Sequence, residues 1–303
     1  MASETIQQKK TPFERAQQTK KSYAHRAYWR QTRRTGITYV VLIALAILFM
    51  APFVWLVDIA LKNLGDLAVF PIQWFPSQLN LGNFWHAVND IAFWQDAQNS
   101  LVLSLINATL TTVSSALVGF GFARLYGPGK KYFFLIMLST LMLPQIITLI
   151  PTYIEFSQFG LVDTYWPWVL WGLSGSAFLS FLFRQTFSNI PQELEEAALL
   201  DGCNYFQIFW RIFLPLSLPV IATAFLLQFT YVWGDYIAPS LLLSGDNTTL
   251  SVAVTLGYRD AHDNLLPNVQ AAASLLYILP MLLLFFGAQR FFVRGIASTG
   301  LKG

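Results

Sequence analysis

Residues 187–213 read FSNIPQELEEAALLDGCNYFQIFWRIF. The stretch is too polar to cross a bilayer, but it has the makings of two short helices. Ser188 or Asn189 can act as an N-cap, and Pro191 suits a first turn, where its missing N–H costs nothing. Glu193, Glu195 and Glu196 place negative charge near the positive end of the helix dipole. Gly202 allows a tight turn. A second amphipathic segment runs from Asn204 to Phe213 and leads into Pro215. The expected product is a helix–turn–helix lying against one membrane face. Ala197, Ala198 and Gly202 are small enough to let another surface approach closely. An amphipathic helix resting on lipid is the alternative. The acidic first half, which anionic lipid would repel, favours a protein partner.

The flanking sequence explains why this loop sits at a membrane. Of 303 residues, 55% are hydrophobic and 12% charged, with 26 Phe, 12 Tyr and 10 Trp. Soluble domains are closer to a quarter charged. An ordinary cytosolic enzyme and a disordered chain are excluded. The single cysteine, Cys203, leaves no intramolecular disulfide and no cysteine-rich metal site. About 20 apolar residues make one span. Six such runs are expected, at 37–60, 99–123, 131–155, 164–186, 214–238 and 271–294. Pro144 and Pro151 are expected to kink or break the third, and Pro215 and Pro219 open the fifth.

Charge sets the orientation. Of 19 lysines and arginines, only Lys62 and Arg259 fall outside if both termini are cytoplasmic. That asymmetry follows the positive-inside rule. The domain reading is then a basic cytoplasmic tail at 1–36, a first helix at 37–60 and an external loop at 61–98. A membrane core at 99–295, with the polar loop at 188–215, and a cytoplasmic tail at 296–303 complete it. The basic tail is read as an uncleaved, solvated segment near anionic headgroups rather than a signal peptide or a nucleic-acid arm. The external loop carries Trp74, Phe75, Trp85, Phe93 and Trp94, which form either an interfacial belt or a stacking cap for sugar rings.

Glu196-Ala197-Ala198, then Gly202, then Ile212-Phe213-Leu214-Pro215 resembles the EAA loop of the permease subunits of ABC importers. Asn99-Ser100, Pro144, Pro151 and Arg184 also look like this family's pattern. The C-terminal stretch from Gln289 to Gly295 and on through Lys302-Gly303 is similar to the tail of carbohydrate-uptake permeases of the MalG type. The likeness runs from about residue 37 to the end. Cys203 stands where alanine is common. Gly234, in Trp233-Gly234-Asp235, replaces a usual asparagine, and Ala297-Ser298-Thr299-Gly300 departs slightly from the usual tail.

The resemblance implies an all-α integral membrane protein with six transmembrane helices and a cytoplasmic coupling helix–turn–helix, the type I, MetI-like permease fold. It implies alternating access driven by a separate ATPase dimer, with no cofactor on this chain and ATP and magnesium on the partner. Glu196, Ala197, Ala198, Asp201, Gly202, Ile212, Leu214 and Pro215 are the expected ATPase-coupling set. Glu196 either pairs with a basic residue of the ATPase or caps its own helix. Arg294 and Lys302 are expected to contact the ATPase from the C-terminal tail, or to serve only as inside charges. A sister permease, an external solute-binding protein, a sugar substrate and the lipid bilayer of the cytoplasmic membrane are the other expected partners, and no nucleic acid is. Pathway candidates are Gln228, Tyr231, Trp233, Asp235 and Asn107, with Thr109, Thr111 and Thr112 as further polar positions.

No phosphate loop of the GxxxxGK[ST] type is present; Gly127-Pro128-Gly129-Lys130-Lys131 has the wrong spacing. His25, His86 and His262 lack metal-ligand spacing, so no metal is expected. The alternatives are a permease for a non-sugar solute such as a polyamine or glycerol phosphate, an ion-coupled secondary transporter, which would need buried ion ligands and internal repeats, and a membrane enzyme, which would need clustered catalytic residues.

Overall fold

A computed structural model describes residues 12–299, with side chains described over 35–289, Gln145 excepted. The chain divides into two units, Met1–Val57 and Asp58–Gly303. The first is carried by α1 (Pro12–Leu61), whose apolar part Thr35–Leu61 is long enough to span a bilayer. No side chain in its most apolar window is buried. Pro52 lies within it, and proline is tolerated in membrane helices.

The second unit is all helix in its named elements. In order these are α2 (Leu64–Leu67), α3 (Gly82–Asn89), α4 (Phe93–Arg124), α5 (Lys130–Ser139), α6 (Gln145–Gln158), α7 (Trp166–Ser174) and α8 (Ala177–Ser188). Then come α9 (Gln192–Leu200), α10 (Tyr205–Ile208), a π-turn at Phe209–Phe213, α11 (Leu214–Leu216), α12 (Leu218–Trp233), α13 (Ile237–Leu242), α14 (Leu250–Leu256) and α15 (Pro267–Thr299). Among the described residues four helices are long and apolar enough to span a membrane, or six if each of two bent pairs is one span.

α4 is the axis of this unit, with α7, α8 and α12 packed around it. Its buried stripe is made largely of small or hydroxyl residues, including Ser100, Ser104, Ala108, Thr111, Ser115 and Gly119. Their three- and four-residue spacing keeps them on one face, and small side chains let membrane helices approach closely. At Gly119 a Cβ would stand 2.5 Å from Cβ of Phe183 on α8. At Gly172, on α7, it would stand 2.8 Å from Cβ of Leu110.

Several boundaries differ from the expected ones. α4 starts at Phe93, six residues before the apolar run. Its polar first turns are held by tertiary partners: Gln95 and Asn99 donate to the carbonyl of Asp246, and Asn99 also to that of Thr248. The third run is two helices, interrupted by the 3-10 turn Thr140–Met142 and Pro144, while Pro151 is carried inside α6. The fourth run is broken at Gly175, whose φ of 73° is left-handed. The fifth bends by 83° at Ser217 between Tyr205–Leu216 and Leu218–Trp233. Pro215 and Pro219 each remove an N–H on either side of that bend, so the helix has no ladder to keep it straight.

The connection between α6 and α7 is tied to the segment after α13. Oδ1 of Asp163 accepts from the backbone N–H of Ser244 at 2.9 Å and from Nδ2 of Asn247 at 3.3 Å. The Ser244 bond, then Asn247, holds this carboxyl below the usual carboxylate range. At the same end of the unit the expected outside cation Lys62 is buried, paired with Asp58 and donating to the carbonyl of Gln73 at 2.6 Å. Of the loop aromatics, Phe93 is buried, whereas Trp74, Phe75, Trp85 and Trp94 are exposed.

Candidate functional site

The polar loop folds as a short helix, a glycine turn and a second helical segment. Asn189 is the C-cap of α8 rather than an N-cap, and Ser188 is the last residue of α8. Helix α8 extends further than the apolar pattern suggested, so the break falls at Pro191, which immediately precedes α9. Gly202 turns the chain with φ +82°. Asn204 then caps α10 reciprocally with Gln207, both bonds at 2.9 Å.

An aromatic cluster seats this loop on the bundle. Phe183 and Phe187 of α8 and Phe209 and Phe213 of the π-turn are fully buried around Phe120 of α4. The ring centroids of Phe120 and Phe213 lie 5.0 Å apart and those of Phe187 and Phe213 lie 5.5 Å apart. Ile212 and Leu214 pack partly buried on the same cluster.

Arg124, the last residue of α4, is the polar counterpart of that cluster. Its Nη1 lies 3.5 Å from Oε2 of Glu195 on α9. Its Nη2 donates to the carbonyl of Phe187 at 2.7 Å and to that of Ile190. Its guanidinium carbon sits 5.0 Å above the Phe213 ring. These carbonyls lie at and just beyond the C-terminal end of α8, where helical acceptors run short of backbone partners. One side chain thus ties α4, α8, α9 and the π-turn together.

The opposite face of the loop is open. Glu196, Ala197, Asp201 and Gly202 are exposed, and Leu200 is 90% exposed. Glu196 lies beyond the first turn of α9, so it does not cap that helix, and among the described residues it forms no ion pair. Ala198 is the exception in the expected set, because it packs inward on the cluster. Pro215 is exposed on α11. A Cβ at Gly202 would meet nothing within 4 Å in this chain. Arg294 lies in α15 with its side chain outside the described set, and Lys302 lies outside the described residues.

About midway along α4 a cavity of about 350 Å³ opens between α4, α7, α12 and the start of α13. Four of the five expected pathway residues meet there: Asn107, Gln228, Tyr231 and Asp235. Nε2 of Gln228 donates to Oδ1 of Asn107 at 2.8 Å, and Nδ2 of Asn107 donates to the carbonyl of Trp168 at 2.7 Å. Thr111 also lines the cavity, whereas Thr109 faces outward. Trp233 is not in the lining. It is buried in a stack between Phe229 and Tyr277, with Nε1 donating to the carbonyl of Tyr277 at 3.2 Å. Asp235 serves a structural end as well, since Oδ1 accepts from the backbone N–H groups of Ile237 and Ala238 at the start of α13.

Sequence reasoning missed the other wall. Trp168, Trp171 and the break Ser174-Gly175-Ser176 line the cavity. Oγ of Ser115 accepts from the N–H of Ser176 at 2.9 Å, replacing a helical bond lost at the break. Irregular backbone at membrane depth is tolerated where it lines a cavity or is buried in protein. The signal was the Gly-Ser pair inside an apolar run. Arg124 had no local signal, because Glu195 is far from it in sequence. Among the described residues no group of three metal-ligating side chains converges.

A protein-family profile, described as "Binding-protein-dependent transport system inner membrane component", matches residues 112–298. The chain belongs to this family. It is the permease subunit of an ABC importer, a multi-pass membrane protein and not an enzyme. The permease is 32% identical over 262 residues to a probable ABC transporter permease protein of Bacillus subtilis, with 83% of each chain covered. It is 31% identical to the lactose transport system permease protein of Rhizobium radiobacter, over 87% of this chain and 95% of the relative. Its fold is similar, with a TM-score of 0.74, to a chain of a bacterial ABC transporter involved in the import of the acidic polysaccharide alginate. That match covers 87% of the permease and 98% of the other chain at 20% identity, and it shows the fold alone.

Proposed function

We propose that the permease carries a sugar or oligosaccharide through the cytoplasmic membrane by alternating access, with both termini in the cytoplasm. A sister permease completes the pathway, an external binding protein delivers the solute, and a separate ATPase dimer holds ATP and magnesium. The observation that carries the sugar reading is the cavity at the broken fourth span. It sets amide and hydroxyl groups of Asn107, Thr111 and Gln228 beside the aromatic side chains of Trp171 and Tyr231. A few placed polar groups among aromatic walls suit a hydroxyl-rich ring with apolar faces. The lactose relative points to the same solute class.

The exposed loop face is the proposed ATPase contact. α12, which lines the cavity, continues through the bend at Ser217 into the loop segment, so a push on the loop reaches the cavity along one chain of helices. The direct test is reconstitution of the tagged permease with its co-purifying subunits, followed by sugar uptake with the binding protein. Uptake that needs ATP and the binding protein supports the proposal. A preparation with no ATPase subunit overturns it.

Two variants separate the parts. Gly202→Asn keeps a residue that tolerates left-handed φ, so the fold is expected to hold with little loss of melting temperature. The new side chain projects from the open face, and ATPase retention in a pull-down is expected to fall about tenfold, the equivalent of one lost contact of ~1.4 kcal/mol. Gln228→Leu keeps the volume but removes the bond to Asn107. The KM for uptake is expected to rise about tenfold, in line with the loss of one or two neutral hydrogen bonds, with basal ATP hydrolysis unchanged. An unaltered KM would remove Gln228 from the pathway.

A further inference from the structure

We infer that the permease holds an anionic phospholipid at the junction of α4, α5 and α8, a site separate from the solute pathway and the ATPase contact. A cavity of about 500 Å³ lies there, and its lining includes Lys130, Lys131 and Arg184 with no carboxylate. Among the described residues none of these three cations forms an ion pair with an acid. Nζ of Lys130 donates to the carbonyl of Leu125 at 2.7 Å, and the guanidinium of Arg184 sits 3.9 Å from the Phe134 ring centroid. Half-buried Lys130 and Arg184 and exposed Lys131 line one partly enclosed space, and such a basic pocket favours an anion.

The shape of the surrounding surface says which anion. A second cavity, of about 350 Å³, adjoins the first and shares Phe122, Tyr126, Gly127, Pro128 and Lys130 with it. Its further walls are Val118, Gly121, Leu125 and Phe133, all apolar. Tyr126 is fully exposed and Phe133 is 65% exposed on this side. A basic pocket opening directly into an apolar groove matches a phosphate headgroup with its acyl chain. A free phosphate would use only the first half. Basic pockets between spans on the cytoplasmic side bind such headgroups, and the basic excess at this end places the pocket there.

Native mass spectrometry of the intact complex from nanodiscs of equimolar phosphatidylglycerol and phosphatidylcholine tests this. Wild type is expected to retain phosphatidylglycerol in preference to phosphatidylcholine. Lys131→Gln/Arg184→Gln is expected to lower that retention about tenfold. Gly121→Leu leaves every cation in place and meets no protein atom within 4 Å of its Cβ. It fills the groove and is expected to release the lipid as well. Equal retention of both lipids, or unchanged retention in both variants, overturns the inference. Displacement by inorganic phosphate with no effect of Gly121→Leu overturns it in favour of a free-phosphate site. Cross-linking of Tyr132 to the sister subunit with no bound lipid overturns it in favour of a subunit interface. Both leaflets carry the same lipid, so the result is independent of the orientation and of the transported solute.

Discussion

Arg124→Ala is expected to cut solute transported per ATP about tenfold while the complex continues to hydrolyse ATP. Removing the guanidinium strands the Glu195 carboxylate, which is only 13% exposed, takes the side-chain donor from the carbonyl of Ile190, and leaves the carbonyl of Phe187 with only the backbone N–H of Ile190. Breaking a buried pair from one side costs about 3–5 kcal/mol, and the partial exposure of Glu195 places this case at the lower end. The mechanical effect is the more specific one. Among the described residues Arg124 is the side chain whose polar contacts join the end of α4 to both α8 and α9. Without it, a tilt of α9 at the proposed ATPase contact is no longer carried to α4 through this side chain. Proteoliposome assays of uptake against ATP consumption measure the ratio directly. Arg124→Lys keeps the charge and one donor direction, so it is expected to restore coupling in part. If Arg124→Ala transports with the wild-type ratio at reduced melting temperature, the tie is structural only.

Gly119→Val is expected to remove most of the folded permease from the membrane. The added Cβ would stand 2.5 Å from Cβ of Phe183, 2.9 Å from the backbone N of Arg184 and 3.0 Å from the carbonyl oxygen of Ser180. Two of those atoms are backbone, so no rotamer change relieves the contact. Helix α8 must move away from α4, and Phe183 and Phe187 must leave their places around Phe120. Overpacking ordinarily costs about 1–3 kcal/mol, and a forced helix separation exceeds that. Gly121→Ala is the control, because a Cβ there meets nothing within 4 Å. Fluorescence-detected gel filtration of the two variants compares them. Equal yields would mean that α4 and α8 can be packed in a second way.

Much of the machine can be read one residue at a time. Composition called for a membrane, and the apolar runs correspond to four long helices and two bent helix pairs among the described residues. The spacing from Glu196 to Pro215 identified the loop, and Gly202 was correctly marked as a turn. Asn107, Gln228, Tyr231 and Asp235 were singled out because polar groups within apolar runs are expensive, and the structure gathers all four in one cavity. Trp233 looked similar in the sequence but fills a packed stack. An indole suits either environment, and only its neighbours decide between them.

The sequence by itself determined the membrane-helical class and the turn in the polar loop, because these depend on hydrophobic period and short-range spacing, which survive in one dimension, and the resemblance of Glu196–Pro215 to the EAA loop pointed to the family. The tertiary structure alone decided which helix lies at the centre, that the fourth span breaks at Gly175 to open the cavity, and that Arg124 meets Glu195. Each of these depends on contact between groups distant in the chain. Apolar runs of similar hydropathy are interchangeable to the bilayer, and only side-chain packing between them selects the neighbours.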